Sequence, residues 1–129
     1  MKLKQSLLFL VFFCLSNLAE SQELHSLAKD FLNTLSPELR EKTIFELTDE
    51  ERYKFYYTPV YRKGSALKEF NEEQRKAALA LLQASVSKEG YRKTQEIMAL
   101  ENILKVLENN PKMDDGTDRR DPLNYHFWI

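Results

Sequence analysis

Apolar residues recur at Leu24, Leu27, Ala28, Phe31, Leu32 and Leu35, a spacing that keeps them on one face of a 3.6-residue period. This predicts an amphipathic helix. Ser36-Pro37 restarts the chain, with Ser as N-cap and Pro at the first helical position, and predicts a short helix to about Phe45. Thr48-Asp49-Glu50-Glu51 reads as a capping box that opens about one turn. Tyr53 to Tyr57 is aromatic-dense and is the first strand candidate, closed or placed at an edge by Pro59. Val60 to Phe70 reads as a basic loop around Arg62-Lys63-Gly64. Asn71-Glu72-Glu73-Gln74 is a second capping box and opens an Ala- and Leu-rich helix to about Val86. Ser87 caps a further helix, roughly Lys88 to Glu108, whose main stripe is Ile97, Leu100, Leu104 and Leu107, widened by Tyr91, Met98 and Ile103. Asn109-Asn110-Pro111 ends it, and a charged loop around Gly116 follows. In the final segment Tyr125, Phe127 and Ile129 share one face and His126 and Trp128 the other, the pattern of a buried strand.

The N-terminus has a different pattern. Lys2 and Lys4 precede an uncharged run from Ser6 to Leu18, 13 residues long, whereas a membrane span needs about 20. Ala19-Glu20-Ser21 places small residues where a signal peptidase cleaves, so residues 1–21 read as a secretory signal peptide removed before Gln22. A buried N-terminal helix or an uncleaved anchor is the alternative. Cys14 follows Phe12-Phe13 inside the apolar run and does not fit a lipid-attachment site. The chain is therefore expected to be exported, periplasmic or secreted, with no integral span after cleavage.

Cleavage changes the composition in two ways. It removes Cys14, the only cysteine, so the mature chain has no disulfide or cysteine metal site. It also leaves 108 residues with 17 basic and 19 acidic side chains, a net charge near −2 that excludes strong electrostatic capture of nucleic acid. One small domain is the expectation. A bare aromatic strand at Ile129 needs a neighbour to pair with, so residues 22–129 are expected to be the N-terminal portion of a domain that continues.

Several runs carry a family resemblance. They are Phe31-Leu32-Asn33-Thr34-Leu35-Ser36-Pro37-Glu38, Arg62-Lys63-Gly64-Ser65-Ala66-Leu67, Gln74 to Leu82, Gly90-Tyr91, Ile97-Met98-Ala99-Leu100-Glu101 and Arg120-Asp121-Pro122-Leu123-Asn124-Tyr125. In order and spacing the chain resembles the N-terminal part of the bacterial exported "domain of unknown function 3500" family. The resemblance implies export and a continuation with a Trp- and Gly-rich stretch and a paired-histidine motif in further strands. It implies no established activity.

Candidate chemistry is sparse. His25 and His126 are the only histidines, 101 positions apart, without the short spacing of a metal site. His25 lies off the apolar stripe and reads as solvated. His126 reads either as a packed, hydrogen-bonded histidine or as a catalytic base or ligand completed by further strands. Asp114, Asp115, Asp118 and Asp121 surround Gly116 but miss the regular spacing of a calcium loop, so no metal is expected. Arg62, Lys63, Arg119 and Arg120 flank the two strand candidates and form a possible anion clamp, with Arg62, Lys63 and Arg120 as its core; an Arg120–Asp121 structural ion pair is the plainer reading. The aromatic residues at 53–57 suit a ligand groove or core packing. There is no nucleophile elbow, P-loop or dinucleotide fingerprint.

The expected fold is α+β, about four helices packed beside a partial sheet. Two functions remain open: a hydrolase whose site uses His126, Arg62 and Arg120 with groups from further along the chain, or a non-catalytic exported domain that holds a small-molecule or polymer ligand. The cofactor is unspecified.

Overall fold

A computed structural model describes residues 22–54, 56, 60–114 and 116–129. Residues 1–21, expected to be a signal peptide, lie outside the described residues, as do Phe55 and Tyr57 of the aromatic segment. The architecture is α+β: four helices and one small antiparallel sheet.

Helix α1 covers 22–34 and turns Phe31 and Leu35 into the core, with Leu27, Ala28 and Leu32 packed beside them. His25 is exposed on its outer side. The Arg40 guanidinium donates to the Leu32 carbonyl at the end of this helix, 3.0 Å. Helix α2, Pro37–Thr43, begins as the sequence dictates: the Ser36 hydroxyl accepts from the Leu39 N–H. Helix α3, Glu72–Ser85, carries the full capping box. Asn71 Oδ1 accepts from Gln74 N–H and Gln74 Oε1 from Asn71 N–H, both at 2.9 Å. Ser87 caps α4, Lys88–Leu107, and Asn109 and Asn110 end it in the left-handed region, at φ 57° and 55°. No helix among the described residues is long and apolar enough to cross a membrane.

The strands differ from expectation. Tyr53 is not in a strand; it closes a short 3-10 helix, Glu50–Tyr53, whose cap is Asp49 rather than Thr48. The Asp49 carboxylate accepts from Glu51 N–H at 2.7 Å, and no apolar face is left in that turn to pack a strand. The partner strand comes from the supposed basic loop. Strand β1, Ser65–Ala66, pairs antiparallel with β2, His126–Phe127, in the register Ser65 to Phe127 and Ala66 to His126. A second 3-10 turn, Leu67–Glu69, follows β1 at once. Beyond the formal strands the pairing continues: Leu67 N–H donates to Tyr125 O, Ile129 N–H to Thr43 O and Phe45 N–H to Ile129 O.

The core lies where α1, α3 and α4 meet this sheet. Phe31, Phe70 and Phe127 form an aromatic triangle with ring centroids 5.4 to 6.1 Å apart. Leu67, Ala78, Leu81 and Met98 complete it, and Tyr125, Phe127 and Ile129 pack against it from one face of the C-terminal segment, as the alternation predicts. On the opposite face Trp128 stacks on Phe45, 5.3 Å between centroids.

Helix α4 is turned differently from its pattern. Met98 faces the core, but Ile97, Leu100, Ile103 and Leu107 are exposed. The inward side of its C-terminal half instead presents Glu101, Lys105 and Glu108 to the loop at 112–120.

Candidate functional site

The sheet places His126 beside a tight turn. Gly64 takes φ 91°, and a Cβ there would stand 2.2 Å from the Phe127 carbonyl oxygen, so only glycine allows β1 to close on β2 at this point. The same approach presents the Gly64 carbonyl to the imidazole. With Nδ1 protonated, His126 donates to it over 3.2 Å. Nε2 has no partner among the described residues and is not one of the enclosed, unpaired polar atoms, so it is accessible, and His126 borders three cavities. Burial holds the His126 pKa below its ordinary value of 6.5, against the opposing effects of the Gly64 carbonyl and Glu69. The ring is thus neutral at pH 7, with an available lone pair.

One of these cavities, about 580 Å³, lies between α4 and residues 113, 119–121 and 124–126. Val60, Ile97 and Met113 give it apolar wall; Arg62, Arg119, Arg120 and His126 give it polar groups. Three of the four site residues expected from sequence therefore meet in one place, although Arg62 and Arg120 hold parts of the fold as well. Arg120 forms a bidentate pair with Glu108, Nε to Oε2 at 2.9 Å and Nη2 to Oε1 at 2.6 Å. Its Nη1 stands 3.6 Å from Glu101 Oε2, an ion-pair distance too long for a hydrogen bond. Tyr125 completes the group through its hydroxyl, which donates to Glu101 Oε1 at 3.3 Å. Burial first, then the Glu101 charge, raises the Tyr125 pKa and keeps the phenol protonated. The partner of Arg120 is therefore on α4, and Asp121 instead lies 4.0 Å from Lys68.

Arg62 donates to the Tyr56 carbonyl at 2.6 Å. Lys63 is on another side. Its ammonium lies 3.6 Å from Asp49 and 5.6 Å from the Phe45 ring centroid, in a neighbouring cleft of about 430 Å³ that Arg62, His126 and Trp128 also border. Arg119 differs from the other three cations. Its backbone N–H donates to the Pro111 carbonyl at 3.0 Å, but its guanidinium is exposed, makes no hydrogen bond or ion pair with the described residues, and acts on Glu108 only through a longer-range pull.

The acidic loop binds its own cations. Asp118 accepts from Lys105 at 2.6 Å and also from Lys112, which together hold its pKa at about 2. Among the described residues no cluster of three or more His, Cys, Asp or Glu side chains could hold a metal ion. Glu101 and Tyr125 are the site residues that residue-type reasoning passed over. Their signal was weak: Glu101 and Lys105 are the only charges between Ile97 and Leu107, four positions apart and so on one side of the helix.

A family model described as "Protein of unknown function (DUF3500)" matches residues 18–129. No curated protein matches the chain. No solved structure matches it either.

Proposed function

The chain belongs to the DUF3500 family, whose description assigns no activity, and from that premise we propose that it is an exported hydrolase in which His126 serves as general base. One observation carries the reading: the Gly64 carbonyl accepts from Nδ1–H of His126, which leaves Nε2 an unpaired acceptor on a residue that borders the cavity. A base needs its tautomer set by a second group, and here the backbone supplies it. In the proposed step Nε2 takes a proton from water as the water oxygen attacks the scissile centre, and the imidazolium returns that proton to the departing group. Export rests on residues 1–21, with their basic start, short apolar run and Ala19-Glu20-Ser21 site.

The sheet leaves room for more of the site. Hydrogen bonds toward β1 and residues 43–45 use the backbone groups of Tyr125 and Ile129, and alternation turns those of His126 and Trp128 to the opposite edge, where they have no partner among the described residues. The Trp128 indole N–H beside them is enclosed and unpaired. A further strand on this edge would complete both the sheet and the catalytic set.

The test is turnover by the exported protein on chromogenic esters, phosphate esters and glycosides, with His126→Asn as control. The expected outcome is a loss of about 10²-fold or more in the variant. In the wild type, the rate should fall as pH drops through a midpoint below 6.5, where the base becomes protonated. The exported chain should begin at Gln22 by N-terminal sequencing. A ligand-holding, non-catalytic domain is the second reading, favoured by the structural use of Arg62 and Arg120. Saturable ligand binding with no His126-dependent turnover on any substrate class would establish it instead.

A further inference from the structure

Besides Glu101, whose Oε2 is ion-paired but lacks a hydrogen bond, the cavity beside α4 is bordered by two residues with groups that the fold itself does not use. One is the guanidinium of Arg119, exposed and without hydrogen bond or ion pair among the described residues. The other is Nε2 of His126, an acceptor with no donor. Both border one space of about 580 Å³, between apolar wall contributed by Val60, Ile97 and Met113. The other charges nearby are already engaged: Arg120 with Glu108 and Glu101, and Asp121 with the Leu123 N–H and Lys68. A ligand that fits must therefore bring an anion for Arg119, a hydrogen-bond donor for His126 and an apolar body for the wall. Phosphate alone lacks the apolar body, and a neutral hydrocarbon leaves both polar groups unpaired.

We infer that this cavity binds a hydroxylated organic carboxylate: Arg119 takes the carboxylate in a bidentate pair, His126 Nε2 accepts from the hydroxyl, and the hydrocarbon part lies against Val60, Ile97 and Met113. The guanidinium fork matches a carboxylate in geometry as well as charge, and Arg119, being exposed, can reach a ligand without breaking an existing bond. The assignment shares His126 with the hydrolase reading and names the class of substrate or product that site would accept. It needs no turnover.

The test is titration calorimetry of the full chain with three probes of one shape. 3-Phenyllactate has carboxylate, hydroxyl and ring; 3-phenylpropanoate lacks the hydroxyl; 3-phenylpropane-1,2-diol lacks the carboxylate. Phenyllactate should bind saturably and most tightly. Arg119→Gln should weaken it by about tenfold or more, leave the weak binding of the diol unchanged, and be partly rescued by Arg119→Lys. His126→Phe should erase the advantage of phenyllactate over phenylpropanoate. Lys63→Gln, in the neighbouring cleft, should change nothing. The inference is overturned if phenyllactate does not bind saturably, or if Arg119→Gln binds it as the wild type does. Arg119-dependent binding without hydrolysis would remove only the hydrolase reading, and His126-dependent hydrolysis indifferent to Arg119 would remove only this one.

Discussion

Gly64 and His126 make one local unit. The glycine is required by the 2.2 Å approach of an added Cβ to the Phe127 carbonyl oxygen and by its φ of 91°. An alanine there combines a steric clash with a left-handed backbone, each costly for a residue with a Cβ. Gly64→Ala should therefore destabilise the protein by about 3 kcal/mol or more, read from urea or thermal unfolding. It should also release His126, whose titration midpoint by NMR should move up toward 6.5 as the ring loses its enclosure. An unchanged melting curve would mean that β1 and β2 do not close on each other as described. The sequence marked both residues, Gly64 as part of a basic loop and His126 as part of an aromatic strand. It could not join them, because 62 positions separate them and only β-pairing brings the carbonyl to the ring.

At the scale of elements, caps and breaks were legible and packing direction was not. Ser36, Asn71 and Ser87 cap the helices they were expected to cap, since a cap depends on residues within three positions of it. Helix α4 shows the limit. Its periodicity points the stripe Ile97–Leu100–Leu104–Leu107 inward, yet Ile97, Leu100 and Leu107 are exposed. The charges of the loop at 112–120 decide the matter. Lys105 bonds Asp118, and Glu101 and Glu108 flank Arg120, so the charged side of the helix faces the loop and the apolar side faces out. The junction makes a pH prediction. Asp118 is held at about 2 by the Lys105 ammonium first and Lys112 second, below its ordinary 3.8. A depressed acid stabilises the fold fully above its unfolded value and loses that stabilisation as pH falls from about 4 toward 2. Unfolding midpoints measured across that window should fall less steeply for Asp118→Asn than for the wild type. Parallel curves would show that the junction contributes nothing to acid stability.

The whole molecule combines a small core with a large uncovered apolar surface. Ile97, Ile103, Val106 and Leu107 are each at least half exposed on one helix, a concentration of apolar side chains that drives association in water. Ile103→Glu with Leu107→Lys should change unfolding free energy by no more than about 0.5 kcal/mol, because both side chains are more than half exposed. The same pair should reduce self-association in sedimentation; a large loss of stability would show that the stripe is covered in solution. By itself, the sequence determined the helices, their caps, the alternation of the last segment and the α+β class, all properties of residues close together along the chain. It also singled out His126 and the arginines as chemistry-bearing residue types. Only the tertiary structure decided that His126–Phe127 pairs with Ser65–Ala66, which reads locally as part of a basic loop. It likewise decided that Lys63 shares a cleft with Arg62 and His126 but not with Arg119 and Arg120, and that α4 turns Glu101 and Lys105 toward the loop. Those outcomes depend on contacts between residues tens of positions apart, where hydrogen-bonding partners and ion pairs compete for the same space and local pattern carries no record of which pairing wins.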